Sequence, residues 1–104
     1  MLRSGNVRAA VREAQASGAM RSPWPEMQYR ELGRTGFAGS RLIFGCGATL
    51  MTSRRDELLH AAFDAGVNVF DVGTRRYYDD AELNLAGFLK THRDRVFLIS
   101  KAMV

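Results

Sequence analysis

The segment 68–82, NVFDVGTRRYYDDAE, decides how the chain is read. An apolar run from Val67 stops at Asp71, and Val72, Gly73, Thr74 and two arginines then lead to a tandem tyrosine and an acidic cluster. A short apolar run that closes on a carboxylate has the pattern of a buried strand whose last side chain emerges at the sheet edge. The residues on either side support that pattern. Upstream, Leu58, Leu59, Ala62 and Phe63 fall at helical spacing, and Asp56 and Glu57 occupy a first turn where the helix dipole favours acids. Thr52 or Ser53 stands where a cap is needed, and Gly66 stops the helix. Downstream, Asp79 or Asp80 caps a second helix whose Leu85, Ala86 and Leu89 share a face, and Lys90, His92 and Arg93 gather at its C-terminal turn.

Two further apolar runs flank this unit. RLIFGCGA (41–48) reads as a buried strand ending on glycines, and RVFLISKA (95–102) as a third strand. Before them, QYRELGRTGFAGSRL (28–42) alternates around Arg34, Thr35 and Gly36, as a β-hairpin does when glycine supplies the turn. The predicted order is hairpin, strand, helix, strand, helix, strand. Near-continuous apolar strands joined by amphipathic helices imply parallel pairing through right-handed crossovers, hence an α/β protein. Three such strands close no barrel, since a (β/α)8 barrel takes about 250 residues. The expectation is therefore an incomplete parallel sheet with an unpaired edge on its last strand, open to self-association.

Composition narrows the function classes. The chain has 104 residues, 46% of them hydrophobic, and a formal charge of +4, with a sequence pI near 9.8. Much of that charge belongs to residues 1–26, an Arg-, Ala- and Ser-rich leader that ends at Pro23, Trp24 and Pro25; the globular part is expected over 27–104. The scattered arginines gather on no single face and carry no base-reading motif, so nucleic acid is not an expected partner. A lone cysteine, Cys46, excludes an internal disulfide and offers no metal-ligand spacing, which suits a reducing, cytoplasmic setting and predicts no metal. Arginines and glycines interrupt every apolar run before the roughly 18 residues of a membrane helix.

In parallel sheets ligands gather at the C-terminal ends of the strands. Gly45 to Gly47 end the first strand, Asp71 the second and Lys101 the third. A buried lysine there needs an anion, which Asp71 on the adjacent strand can supply. With a tyrosine from the following loop the trio makes a proton-donating site, because a nearby cation stabilises a phenolate. The competing reading is a plain ion pair with a tyrosine over it. His60 in mid-helix and His92 at a helix end read as structural, and Cys46 as a small buried hydrophobe. Arg75 and Arg76 are either anion contacts or a solvated loop.

The motifs MQYRELGRTGFAGSRLIFGCG (27–47), AAFDAGVNVFD (61–71) and VFLISKA (96–102) together resemble the aldo/keto reductases over nearly all of the regular part of the chain. The resemblance implies the N-terminal part of a (β/α)8 barrel, with NADPH as cofactor and a small carbonyl compound as substrate. It implies Asp71 and Lys101 as the catalytic aspartate and lysine, Tyr78 or Tyr77 as the general acid, and Gly45 and Cys46 near the nicotinamide. The family pattern of Asp-Thr-Ala, two residues and Tyr-Gly is replaced here by DVGTRRYYDD (71–80), so both tyrosines remain candidates. The family's histidine and most of its nucleotide site belong to later strands, so the 104 residues are expected to be inactive alone. Two other readings are a barrel enzyme with Lys101 as a Schiff-base nucleophile, and a non-catalytic chain that works only by pairing with other protein.

Overall fold

A computed structural model describes residues 25–102. All but the last two residues of the leader lie outside that range. β1 (Tyr29–Glu31) and β2 (Ala38–Ser40) form the predicted antiparallel hairpin, with Arg30 opposite Gly39. Its connecting loop needs two left-handed residues, and glycines occupy both, Gly33 at φ 54° and Gly36 at φ 76°. The Thr35 hydroxyl ties the loop together by donating to the Leu32 carbonyl at 2.7 Å.

Three strands then form one parallel sheet in the order β3 (Phe44–Gly45), β4 (Val69–Asp71), β5 (Phe97–Ile99). Phe44 lies opposite Phe70, Gly45 opposite Asp71, and Asp71 opposite Ile99. The connections carry α1 (Gly47–Leu50), α2 (Asp56–Asp64), α3 (Arg75–Tyr78) and α4 (Ala81–His92), followed by a 3₁₀ turn over Arg93–Arg95. The protein is thus a mixed α/β structure with parallel pairing, as the alternation of patterns predicts. Among the described residues the outer edges of β3 and β5 pair with no further strand.

The core fills the space between the sheet and the two long helices. Phe70 from the central strand packs on Phe88 of α4 at 5.2 Å between ring centres, and Leu50, Leu59, Leu85 and Val96 close around them. Burying each of these large side chains contributes about 1.5–3 kcal/mol. Strand alternation sends Val69 and Asp71 to the opposite face from Phe70. Phe97, paired with Val69, meets Phe37 of the hairpin there at 5.5 Å. One strand therefore feeds a helix-covered core on one side and a hairpin-covered face on the other.

Several boundaries differ from the sequence reading. β3 occupies only two residues of the 41–48 run, and Leu42 and Ile43 stand exposed before it, because the chain is still leaving the hairpin there. β5 stops at Ile99, so Lys101 lies two residues beyond the strand that was expected to carry it. Neither Thr52 nor Ser53 caps α2. The helix begins after Arg55, and the Arg54 guanidinium instead grips Asp56 in the first turn. Leu58 falls outside the buried stripe, which needs only Leu59, Ala62 and Phe63. In α4 the larger Phe88 takes the core position that Ala86 was expected to share, and Ala86 is exposed. Asp80 does occupy the N-cap of α4, though its side chain makes no capping bond. Asp79 holds the left-handed φ of 45° that admits the turn. Two single-turn helices, α1 and α3, stand where loops were expected. Among the described residues no helix is long and apolar enough to cross a membrane.

Candidate functional site

The site is built at the C-terminal ends of the three parallel strands. Asp71 ends β4 with its side chain on the hairpin-covered face, and the backbone binds it from both neighbours. Its carbonyl accepts from the Cys46 amide at 2.8 Å, and the next amide, of Val72, donates to the Ile99 carbonyl at 2.9 Å. The carboxylate is therefore held by the ladder itself. Lys101 reaches back over the end of β5 and forms an ion pair with Asp71 Oδ1, while its amine also approaches the Val72 carbonyl at 3.4 Å. The Tyr78 hydroxyl donates to Asp71 Oδ2 at 3.0 Å, and the Lys101 ammonium lies 4.8 Å from the centre of the Tyr78 ring. Aspartate, lysine and one tyrosine thus converge within one hydrogen-bonded cluster.

The electrostatics follow from this contact set. The hydrogen bond from Lys101 holds the Asp71 carboxyl below its ordinary range; partial burial opposes that shift, and the Tyr78 hydroxyl reinforces it. The same partners raise Lys101, Asp71 first and Tyr78 second. The side chains are 28% and 46% exposed, so the buried lysine expected from the sequence is in fact half in solvent. The pair stays charged without needing full desolvation. An amine held protonated in this way is poorly suited to Schiff-base attack, which requires the neutral form.

The choice between the two tyrosines is made by α3. Thr74 starts this single turn, and its carbonyl accepts from the amides of both Tyr77 and Tyr78. The 100° step between successive helical residues then sends the two rings apart. Tyr78 turns inward to Asp71, whereas Tyr77 is 56% exposed with the Arg76 guanidinium over its ring at 5.8 Å. Tyr77 is thus brought to the loop surface and not to the cluster. Arg75, also exposed, lies 3.7 Å from Asp80.

Gly73 makes room for the Tyr78 ring, and Gly47 lies within ordinary contact of it. A Cβ on Gly73 would stand 2.5 Å from a ring carbon of Tyr78, too close for any side chain, and one on Gly47 would stand at 3.5 Å. Gly73 was legible in the sequence only as a departure from a family pattern. A glycine just after an apolar strand, with an aromatic five residues on, was the signal available. Gly45 is exposed opposite Asp71, and a Cβ there would meet only open space. Cys46 is fully buried beneath it. Burial pushes its thiol up to about 12, with the Asp71 charge adding to the rise, so the thiol is inert as a nucleophile. Comparison with protein-family models and with curated protein sequences finds no match for this chain.

Proposed function

We propose that the chain is the N-terminal portion of an aldo/keto reductase-type (β/α)8 barrel that reduces carbonyl compounds to alcohols with NADPH. The observation that carries this reading is the convergence of Tyr78, Asp71 and Lys101 at the C-terminal ends of parallel strands. Barrel enzymes draw their chemistry from that end of the sheet. The outer edges of β3 and β5, which pair with no further strand among the described residues, are where further strands of a barrel would join.

Gly45 fits a flat cofactor ring, since it is exposed beside Asp71 and carries no side chain into the open space above it. Cys46, being buried, would line that place with backbone only. The cofactor, when bound, supplies the hydride. The chain's own residues manage the proton. Tyr78 turns its hydroxyl from Asp71 to the substrate oxygen and gives up its proton there as general acid. The Lys101 ammonium beside the ring stabilises the charge left on the phenol oxygen, and Asp71 holds that ammonium in place and protonated. Solvent then restores the phenol.

Hydride transfer needs the cofactor in near-attack geometry, and tight placement takes contacts from several strand ends. The reading is tested by titrating the 104-residue protein with NADPH by fluorescence and assaying it with a reactive aldehyde. Neither micromolar binding nor turnover is expected. A chain extended by in-frame coding sequence downstream of Val104, enough to complete the roughly eight strands of a barrel, should reduce the aldehyde and lose at least about 100-fold in kcat on Tyr78→Phe. Turnover by the extended chain that is indifferent to Tyr78 would sink the assignment.

A further inference from the structure

Away from the strand ends, α2 and α4 meet through a cluster of rings that includes both histidines. His92 stacks on Phe88 at 4.4 Å and 6°, and meets Phe63 edge-on at 4.6 Å. His60 stands edge-on to Phe88 at 5.3 Å and to His92 at 5.0 Å. Two imidazoles from different helices are thus held side by side by aromatic packing. Each turns the same nitrogen toward its own helix: His60 Nδ1 lies 2.9 Å from the Asp56 carbonyl, and His92 Nδ1 lies 3.0 Å from the Phe88 carbonyl. A carbonyl only accepts, so Nδ1 is the donor in both rings, and in the neutral ring the lone pair then sits on Nε2. Thr91 Oγ1, 2.8 Å from His92 Nδ1, is compatible with this because a hydroxyl also accepts. Among the described residues no hydrogen bond occupies either Nε2.

We propose that His60 and His92 form a two-nitrogen site for a borderline divalent transition ion, Zn²⁺ or Cu²⁺, that ties α2 to α4. Histidines that bind metal usually donate their other ring N–H to a carbonyl or carboxylate, which fixes the tautomer, and both rings already do so. The spacing agrees. An ion about 2.0–2.1 Å from each nitrogen sits roughly 3.2 Å from each ring centre, and centres 5.0 Å apart then subtend about 100°, within the tetrahedral range. His92 ends α4, where the last carbonyls favour a cation. The opposing charges are Lys90 and Arg93 at the same helix end and Arg95, whose guanidinium lies 5.2 Å over the Phe63 ring. His60 is exposed and His92 partly so, which lets water complete the coordination. Among the described residues no third histidine, cysteine or carboxylate joins them, so the site is open and weaker than a closed four-ligand one.

The test is titration of the tag-free protein with copper(II) chloride and zinc chloride. Copper electron paramagnetic resonance at one equivalent should show splitting from two nitrogens. His60→Gln, at an exposed position, should weaken binding by about tenfold or more and leave the metal-free melting transition in place. His92→Gln should weaken binding comparably, with its metal-free melt recorded alongside because this ring is packed. Zinc should raise the wild-type transition and leave that of His60→Gln unmoved. Unchanged affinity in His60→Gln, or single-nitrogen coordination in the wild type, overturns the site.

Discussion

Strand β4 ends in two polar clusters, one at each end, that solve the problem of placing a polar side chain next to a core in different ways. At the start, Asn68 is buried and fully engaged. Its Oδ1 accepts from the Ser40 amide at 2.8 Å, its Nδ2 donates to the Ala38 carbonyl at 2.9 Å, and its own amide donates to Ser40 Oγ at 3.1 Å. The Asn68 carbonyl takes the Phe97 amide at 2.8 Å. At the other end Asp71, Lys101 and Tyr78 share fewer bonds, partly in solvent. Buried amides that lose a partner cost their full desolvation, whereas half-exposed charges recover water. The Asn68 end is thus a clamp that docks the hairpin on the sheet, and the Asp71 end keeps atoms free to exchange partners. Only two residues, Val69 and Phe70, separate the clamp from the half-solvated cluster.

The comparison is broken most severely at the clamp. Asn68→Ala should cost about 2–4 kcal/mol in urea denaturation, because the Ser40 amide and Ala38 carbonyl are left buried without partners. A loss below about 1 kcal/mol would mean that water replaces the side chain at no penalty. Next comes Gly73→Ala, whose Cβ collides with the Tyr78 ring; a loss of about 1–3 kcal/mol and displacement of that ring in NMR spectra are expected. Gly47→Ala, in ordinary contact with the same ring, serves as the neutral control.

The strand-end cluster should be far more tolerant. Asp71→Asn should change stability by about 1 kcal/mol or less, and Lys101→Met should barely move the urea midpoint, since the pair is half solvated. The pH dependence is the finest discriminator. Asp71 is held below its ordinary value, so its contribution is present above about pH 4 and disappears as pH falls through the folded value. Lys101 is held above its ordinary value, so its contribution is present below about pH 10.4 and disappears as pH rises through the folded value. Stability measured from about pH 3 upward should show a small acid-side loss that Asp71→Asn removes; the alkaline loss should largely persist in that variant, because burial also raises the Cys46 thiol and the Tyr29 phenol, each to about 12, and both favour unfolding once they ionise.

Much of this was legible in the amino-acid order. Hydrophobic periodicity is a local property, so the two-residue period of 28–42, the helical stripe of Leu59, Ala62 and Phe63, and the apolar runs between them announced the hairpin and the alternating strands and helices. Glycine punctuation worked for the same reason, since the left-handed φ at Gly33, Gly36 and Gly66 is a single-residue demand. An apolar strand closing on a carboxylate placed Asp71 correctly, and parallel pairing then brought Lys101 to it. What only the tertiary structure decided are the matters that depend on direction or on distant partners. Tyr78 and Tyr77 are adjacent and chemically identical, and a single unforeseen helical turn chose between them by rotation about its axis. Asn68 reads as an interruption in an apolar strand until Ser40, 28 residues away, supplies its partner. His60 and His92 belong to separate helices, and only the packing of Phe63 and Phe88 between those helices makes them neighbours. Periods and caps are written along the chain, whereas the facing of side chains is settled by which surfaces the core brings into contact.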